Sequence, residues 1–158
     1  MRKILIIVML IFFNKIYGQV TTRSFDFILV IDEKIPSGSI TDVKIKIMGE
    51  KQTLVNANYF PGNLSIDEES YNQLFSSSTK AIFVIFVFNE YRGNEHKIYN
   101  YDIELKKPWL KDNYNILQIY NLDKSKYKGR FDPIGKGKNY NYELTSPSHS
   151  FRLIQRKT

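Results

Sequence analysis

Residues 81–88 read Ala-Ile-Phe-Val-Ile-Phe-Val-Phe, an unbroken apolar run in which every residue after the alanine is β-branched or aromatic. Such a run is too short to span a bilayer and has the composition of a strand, so it is expected as the central strand of a sheet, buried on both faces. Working back from it, Thr41 to Met48 alternates, with Val43, Ile45 and Ile47 inward and Asp42, Lys44 and Lys46 outward. That is the period-two pattern of a half-buried strand. Gly49, Glu50 and Lys51 make a tight connection into Thr53 to Phe60, which predicts a hairpin ended by Pro61, Gly62 and Asn63. Phe25 to Ile31 is a further strand, with apolar residues on both faces.

Between these strands lies the one stretch with helical signals. Ser65 followed by Glu68 has capping-box spacing, and Tyr71, Leu74 and Phe75 supply an apolar stripe that ends in Ser76, Ser77 and Ser78. Working forward from residue 88, Arg92, Gly93 and Asn94 turn the chain into Lys97 to Leu105. There Tyr99, Tyr101, Ile103 and Leu105 share a face. Pro108 and Trp109 open a loop, and Tyr114 to Leu122 resumes strand character. Glycines and Pro133 keep Asp123 to Asn139 irregular. Tyr140 to Leu144 and Phe151 to Gln155 form a closing hairpin through Ser146, Pro147 and Ser148. About eight or nine short strands with one short helix and no helical crossovers predict an all-β fold, an antiparallel β-sandwich of immunoglobulin-like or transthyretin-like style.

The N-terminus sets the expected compartment. Arg2 and Lys3 precede ten apolar residues, Ile4 to Phe13, and Asn14 to Gly18 is polar with a small end. This is the layout of a secretory signal peptide, expected over residues 1–18 with cleavage before Gln19. Residues 19–158 are then a single domain, exported to the periplasm or secreted, with no transmembrane span after cleavage. The leader and the Lys, Asn, Ile and Tyr bias resemble those of small exported β-sandwich proteins of the Bacteroidota. That resemblance implies bacterial export and no activity.

The chain of 158 residues has no cysteine, which excludes disulfides, thiol catalysis, Cys-ligated metals and a lipoprotein anchor. No cofactor is expected. His96 and His149 are far apart in sequence and are expected as isolated surface residues rather than metal ligands. Ser148 beside His149 lacks an oriented base and third group. Asp67, Glu68 and Glu69 suit the first turn of a helix, not a calcium loop. Gly129 to Lys138 fails the P-loop pattern, because five residues separate Gly129 from Gly135 and Gly137 follows Lys136. An enzyme is not expected; one would need a cleft built on Asp102, Glu104 or His96.

Charge carries what functional signal there is. The whole chain has 23 Lys plus Arg against 16 Asp plus Glu, a net of +7. The leader accounts for three of those bases, leaving +4. Residues 19–95 carry 7 bases and 10 acids, whereas residues 96–158 carry 13 bases and 6 acids. Lys124, Lys126, Lys128, Arg130, Lys136 and Lys138 cluster around a single acid, Asp132, with Tyr127, Phe131 and Tyr140 interleaved. Clustered cations beside aromatics suit an anionic polymer. For an exported chain this means an anionic envelope glycan or an acidic protein surface rather than nucleic acid. Trp109 is read either as a further stacking platform or as an aromatic plug of the sandwich. The expected role is a non-catalytic binding or structural module using Lys124, Lys126, Tyr127, Lys128, Arg130, Lys136, Lys138 and Trp109. The alternative is an assembly subunit that pairs through an exposed edge strand.

Overall fold

The computed structural model describes residues 21–36, 39–148 and 150–152, with side chains described as far as Ser148. The expected leader, His149 and the end of the last strand lie outside the described residues. The chain forms two sheets. In order along the chain the strands are β1 (Thr22–Ile31), β2 (Ile40–Met48), β3 (Gln52–Asn56), β4 (Asn58–Phe60) and β5 (Gly62–Asp67). A helix, α1 (Glu68–Phe75), precedes β6 (Ala81–Arg92), β7 (Glu95–Leu105), β8 (Asn115–Asn121), β9 (Tyr140–Thr145) and β10 (Ser150–Arg152).

One sheet has the order β10-β9-β8-β1-β5-β4 and the other β3-β2-β6-β7. All neighbours are antiparallel except β1 and β8, which run parallel at the middle of the larger sheet. Between those two strands the chain builds the whole second sheet, a long excursion that the parallel geometry requires. The all-β sandwich expected from the sequence is the fold observed.

The two sheets meet through alternate residues. Phe27, Leu29, Leu117 and Ile119 from one face Ile45, Ile47, Ile82, Phe86 and Ile103 from the other, all nearly inaccessible. Burial of each such side chain contributes roughly 1.5–3 kcal/mol, and together they hold the sheets face to face. In β6, Ile82, Val84 and Phe86 are buried, while Phe83, Ile85 and Val87 are half-buried. Burial on both faces is thus corrected to one full face and one partly covered face. The outer face has a lysine for cover, since Lys46 lies 4.3 Å from the centre of the Phe83 ring and donates to Asp102 at 2.8 Å.

Three local expectations are also corrected. Thr53 to Phe60 is not one strand: the chain changes sheets at Ala57, whose N–H donates to Val43 O at 2.9 Å. β5 occupies the residues expected to start the helix, because Leu64 and Ile66 alternate into the core. The helix cap is therefore Asp67 and not Ser65; its carboxylate accepts from Ser70 N at 2.8 Å and Ser70 Oγ at 2.7 Å. Glu68, released from the capping box, pairs with Arg23 instead. β2 also carries a bulge, advancing from Thr41 to Lys44 while β6 advances from Val87 to Ile85, with Asp42 at φ 52°.

Candidate functional site

β1 delivers the first residues of the site. It ends in a two-residue turn, where Ile31 N donates to Lys34 O at 2.8 Å and Lys34 N to Ile31 O at 3.0 Å. The central residues, Asp32 and Glu33, both have positive φ, 50° and 68°. This is the conformation that Asn-Gly usually fills, and acids held there cost local free energy. Their side chains show what offsets that cost. Asp32 accepts from Asn121 N and Asn121 Nδ2, both at 2.9 Å, and pairs with Lys124. Glu33 pairs with Lys126.

The second set of acids arrives from the β6–β7 hairpin and the start of the long loop. Glu90 accepts from Lys124 Nζ at 2.8 Å, from Arg92 Nη2 at 3.0 Å and from Tyr99 Oη at 3.2 Å. Asp123 accepts from Tyr99 Oη at 3.0 Å and Lys97 Nζ at 3.3 Å. The Lys124 ammonium thus sits between two carboxylates, with side-chain exposures of 16% for Lys124, 10% for Asp32 and 15% for Glu90. Burial raises the Glu90 pKa, but the hydrogen bonds and charges of Lys124 and Arg92 outweigh it and hold the carboxyl below its ordinary range. Burial, then Asp123, pushes the Tyr99 phenol well above its ordinary value. Burial, then the neighbouring Glu33, raises Tyr127 to about 12. A cleft of about 880 Å³ opens over this cluster, with Ile35 and Tyr91 at its walls.

Beneath the loop lies a small core of its own. Tyr120, Leu122 and Tyr127 are buried together with Phe131 against them, the Tyr120 ring 5.2 Å from Tyr127 and 5.1 Å from Phe131. Further on, Ile134 packs against the main core and Asn141 Nδ2 donates to Asp132 O at 2.7 Å. The loop from Leu122 to Asn139 is irregular, as expected, yet tied down along its length.

The eight residues singled out from the sequence therefore separate. Lys124 is held largely buried between two carboxylates, Lys126 is exposed and paired with Glu33, and Tyr127 is 3% exposed. Trp109 is 8% exposed in the main core, in a 3-10 turn over Trp109–Lys111, and its carbonyl accepts from Asn115 Nδ2 at 3.1 Å. Its placement is that of the plug and not of the platform. Lys128, Arg130 and Lys136 are exposed and Lys138 half-exposed, and no ion pair engages any of them among the described residues. Arg130 lies 5.9 Å from the Phe131 ring and Lys138 5.8 Å from the Tyr140 ring. The acids that organise the loop were missed. Glu90, Asp32 and Glu33 come from residues 34 to 93 positions away from their cations, and the only local signal was an acidic pair between a strand and Lys34.

His96 Nε2 donates to Asn89 Oδ1 at 3.0 Å, and its ring stacks on Tyr91. Asp102 and Glu104 are engaged by Lys46 and Lys106, and Ser148 Oγ donates to Asp112 at 2.8 Å. Among the described residues no group of three or more His, Asp and Glu converges as a metal site, and no helix is long and apolar enough to cross a membrane. Neither a family model, a curated protein nor a solved structure matches the chain.

Proposed function

We propose that the protein is an exported, non-catalytic binding module that holds an anionic glycan on the outer cations of the 122–139 loop. One observation carries this reading: carboxylates pair with Lys124 and Lys126 and the loop's aromatic rings form a core, while among the described residues no ion pair engages Lys128, Arg130, Lys136 or Lys138. A loop already tied down loses little entropy when it binds, so four modest charge contacts suffice for a salt-sensitive, low-specificity grip on a polyanion. The export part of the reading rests on the N-terminal sequence pattern.

Retention on immobilised heparin tests it. With Lys128, Arg130, Lys136 and Lys138 all changed to Ala, the protein is expected to elute at clearly lower salt than the native chain, whereas Lys126→Ala, which removes a neutralised cation, changes elution little. Equal retention of the quadruple variant and the native chain would show that the polyanion is held elsewhere.

A further inference from the structure

β7 is the last strand of its sheet among the described residues, and there one of its edges has no neighbouring strand. Part of that edge is closed by side chains from the facing sheet. Tyr140 Oη accepts from Asp102 N at 3.1 Å and donates to Asp102 O at 3.0 Å, and Tyr142 Oη donates to Glu104 O at 3.4 Å. These bonds identify the residues whose backbone groups point away from β6. The β6–β7 register is unbroken from Ile82↔Leu105 to Arg92↔Glu95, so the alternation of the strand turns the N–H and C=O of Asn100, Ile98 and His96 the same way. No tyrosine reaches these, and among the described residues no hydrogen bond engages the backbone of Ile98 or Asn100 on that side.

The open stretch lies along a groove. A space of about 580 Å³ runs beside it, with Ile98 and Asn100 on one side and Lys138, Asn139 and Tyr140 on the other. Ile98 is 58% exposed. Lys97, the residue that would ordinarily discourage an added strand, is drawn to Asp123 at 3.3 Å. Lys138 on the far wall has no carboxylate partner among the described residues, and Lys136 is two positions away. The groove therefore offers unpaired strand groups, the apolar side chain of Ile98 and the positive charge of Lys138, while Asp123, which also lines it, is met by Lys97.

We infer that residues 96–100 of β7 accept an extended, acidic segment of a partner protein as an added strand, its carboxylates facing Lys136 and Lys138. This goes beyond the polyanion reading, because it depends on the backbone of β7 and shares only two lysines with it. The test is amide hydrogen exchange, read residue by residue, with a peptide of five Glu-Val repeats in roughly tenfold excess over its dissociation constant. The Ile98 and Asn100 amides are expected to slow by about tenfold. A peptide of Lys-Val repeats, or a Glu-Val peptide N-methylated at every residue, is expected to give no protection. Asn100→Pro, which removes an outward N–H, is expected to abolish the effect while leaving heparin retention unchanged. The inference is overturned if neither amide is protected, if both peptides protect equally, or if protection falls on β3 or β4. It is equally overturned if protection appears without peptide and grows with protein concentration, which would mark a second copy as the occupant.

Discussion

Lys124 is the residue on which the loop turns. Its ammonium links a carboxylate from the β1 turn to one from the β6–β7 hairpin, with all three side chains at most 16% exposed. Lys124→Met keeps the stem and removes the cation shared by Asp32 and Glu90, leaving Asp32 with Asn121 and Glu90 with Arg92 and Tyr99. It is expected to destabilise the fold by about 2–3 kcal/mol, read as a lower urea midpoint. An unchanged midpoint would mean that the cluster is solvated and holds nothing. Acid should reproduce part of this effect. The Glu90 carboxyl lies below its ordinary value of 4.5, and Asp67, accepting from Ser70 N–H, lies below 3.8. Groups with depressed folded values contribute fully above their unfolded values and lose that contribution as pH falls through the folded ones. Unfolding midpoints are therefore expected to be level from pH 7 to about 5 and to fall below about pH 4. The gap between native chain and Lys124→Met should narrow in the same range; a gap independent of pH would place the lysine's contribution in packing alone.

At the scale of elements, alternation was legible and long-range pairing was not. Phe27, Ile45 and Tyr101 lie inside as their period-two positions require. The division of residues 53–60 between two sheets, the strand at 62–67 and the cap at Asp67 were not legible, because each is decided by contacts with distant chain. Leu64 and Ile66 look like part of a helix entry until the facing sheet is there to bury them. The β1 turn is a second case. Nothing local favours Asp32 and Glu33 at positive φ, and the compensation comes from Asn121, Lys124 and Lys126. Glu33→Gly removes the backbone cost at a position where the side chain is exposed. It is expected to raise the denaturation midpoint by the equivalent of about 1 kcal/mol. A loss of stability instead would show that the Glu33–Lys126 contact outweighs the strain.

At the scale of the whole molecule, the two sheets are a scaffold and the charge asymmetry lies in what they carry. The acidic excess of residues 19–95 and the basic excess of residues 96–158 are partners in part. Asp32, Glu33 and Glu90 from the first half neutralise Lys124 and Lys126 from the second. The basic cluster was legible as composition, but its separation into bound and unbound cations needed the three-dimensional pairing. Export is a claim at this scale as well. The chain recovered from outside the cytoplasm of an expressing bacterium is expected to have the intact mass of residues 19–158, and recovery only of the 158-residue chain would reject cleavage after Gly18. The proposed role turns on which cations meet the ligand. The most direct measurement is an NMR titration with a short heparin oligosaccharide, following backbone amides and lysine side chains. The expected result is saturable shifts at Lys128, Gly129, Arg130 and Lys136 to Lys138, reversed by salt, with the Lys124 ammonium unmoved. Shifts centred on Lys124, Lys97 and the cleft above them, or none in the 122–139 loop, would contradict it.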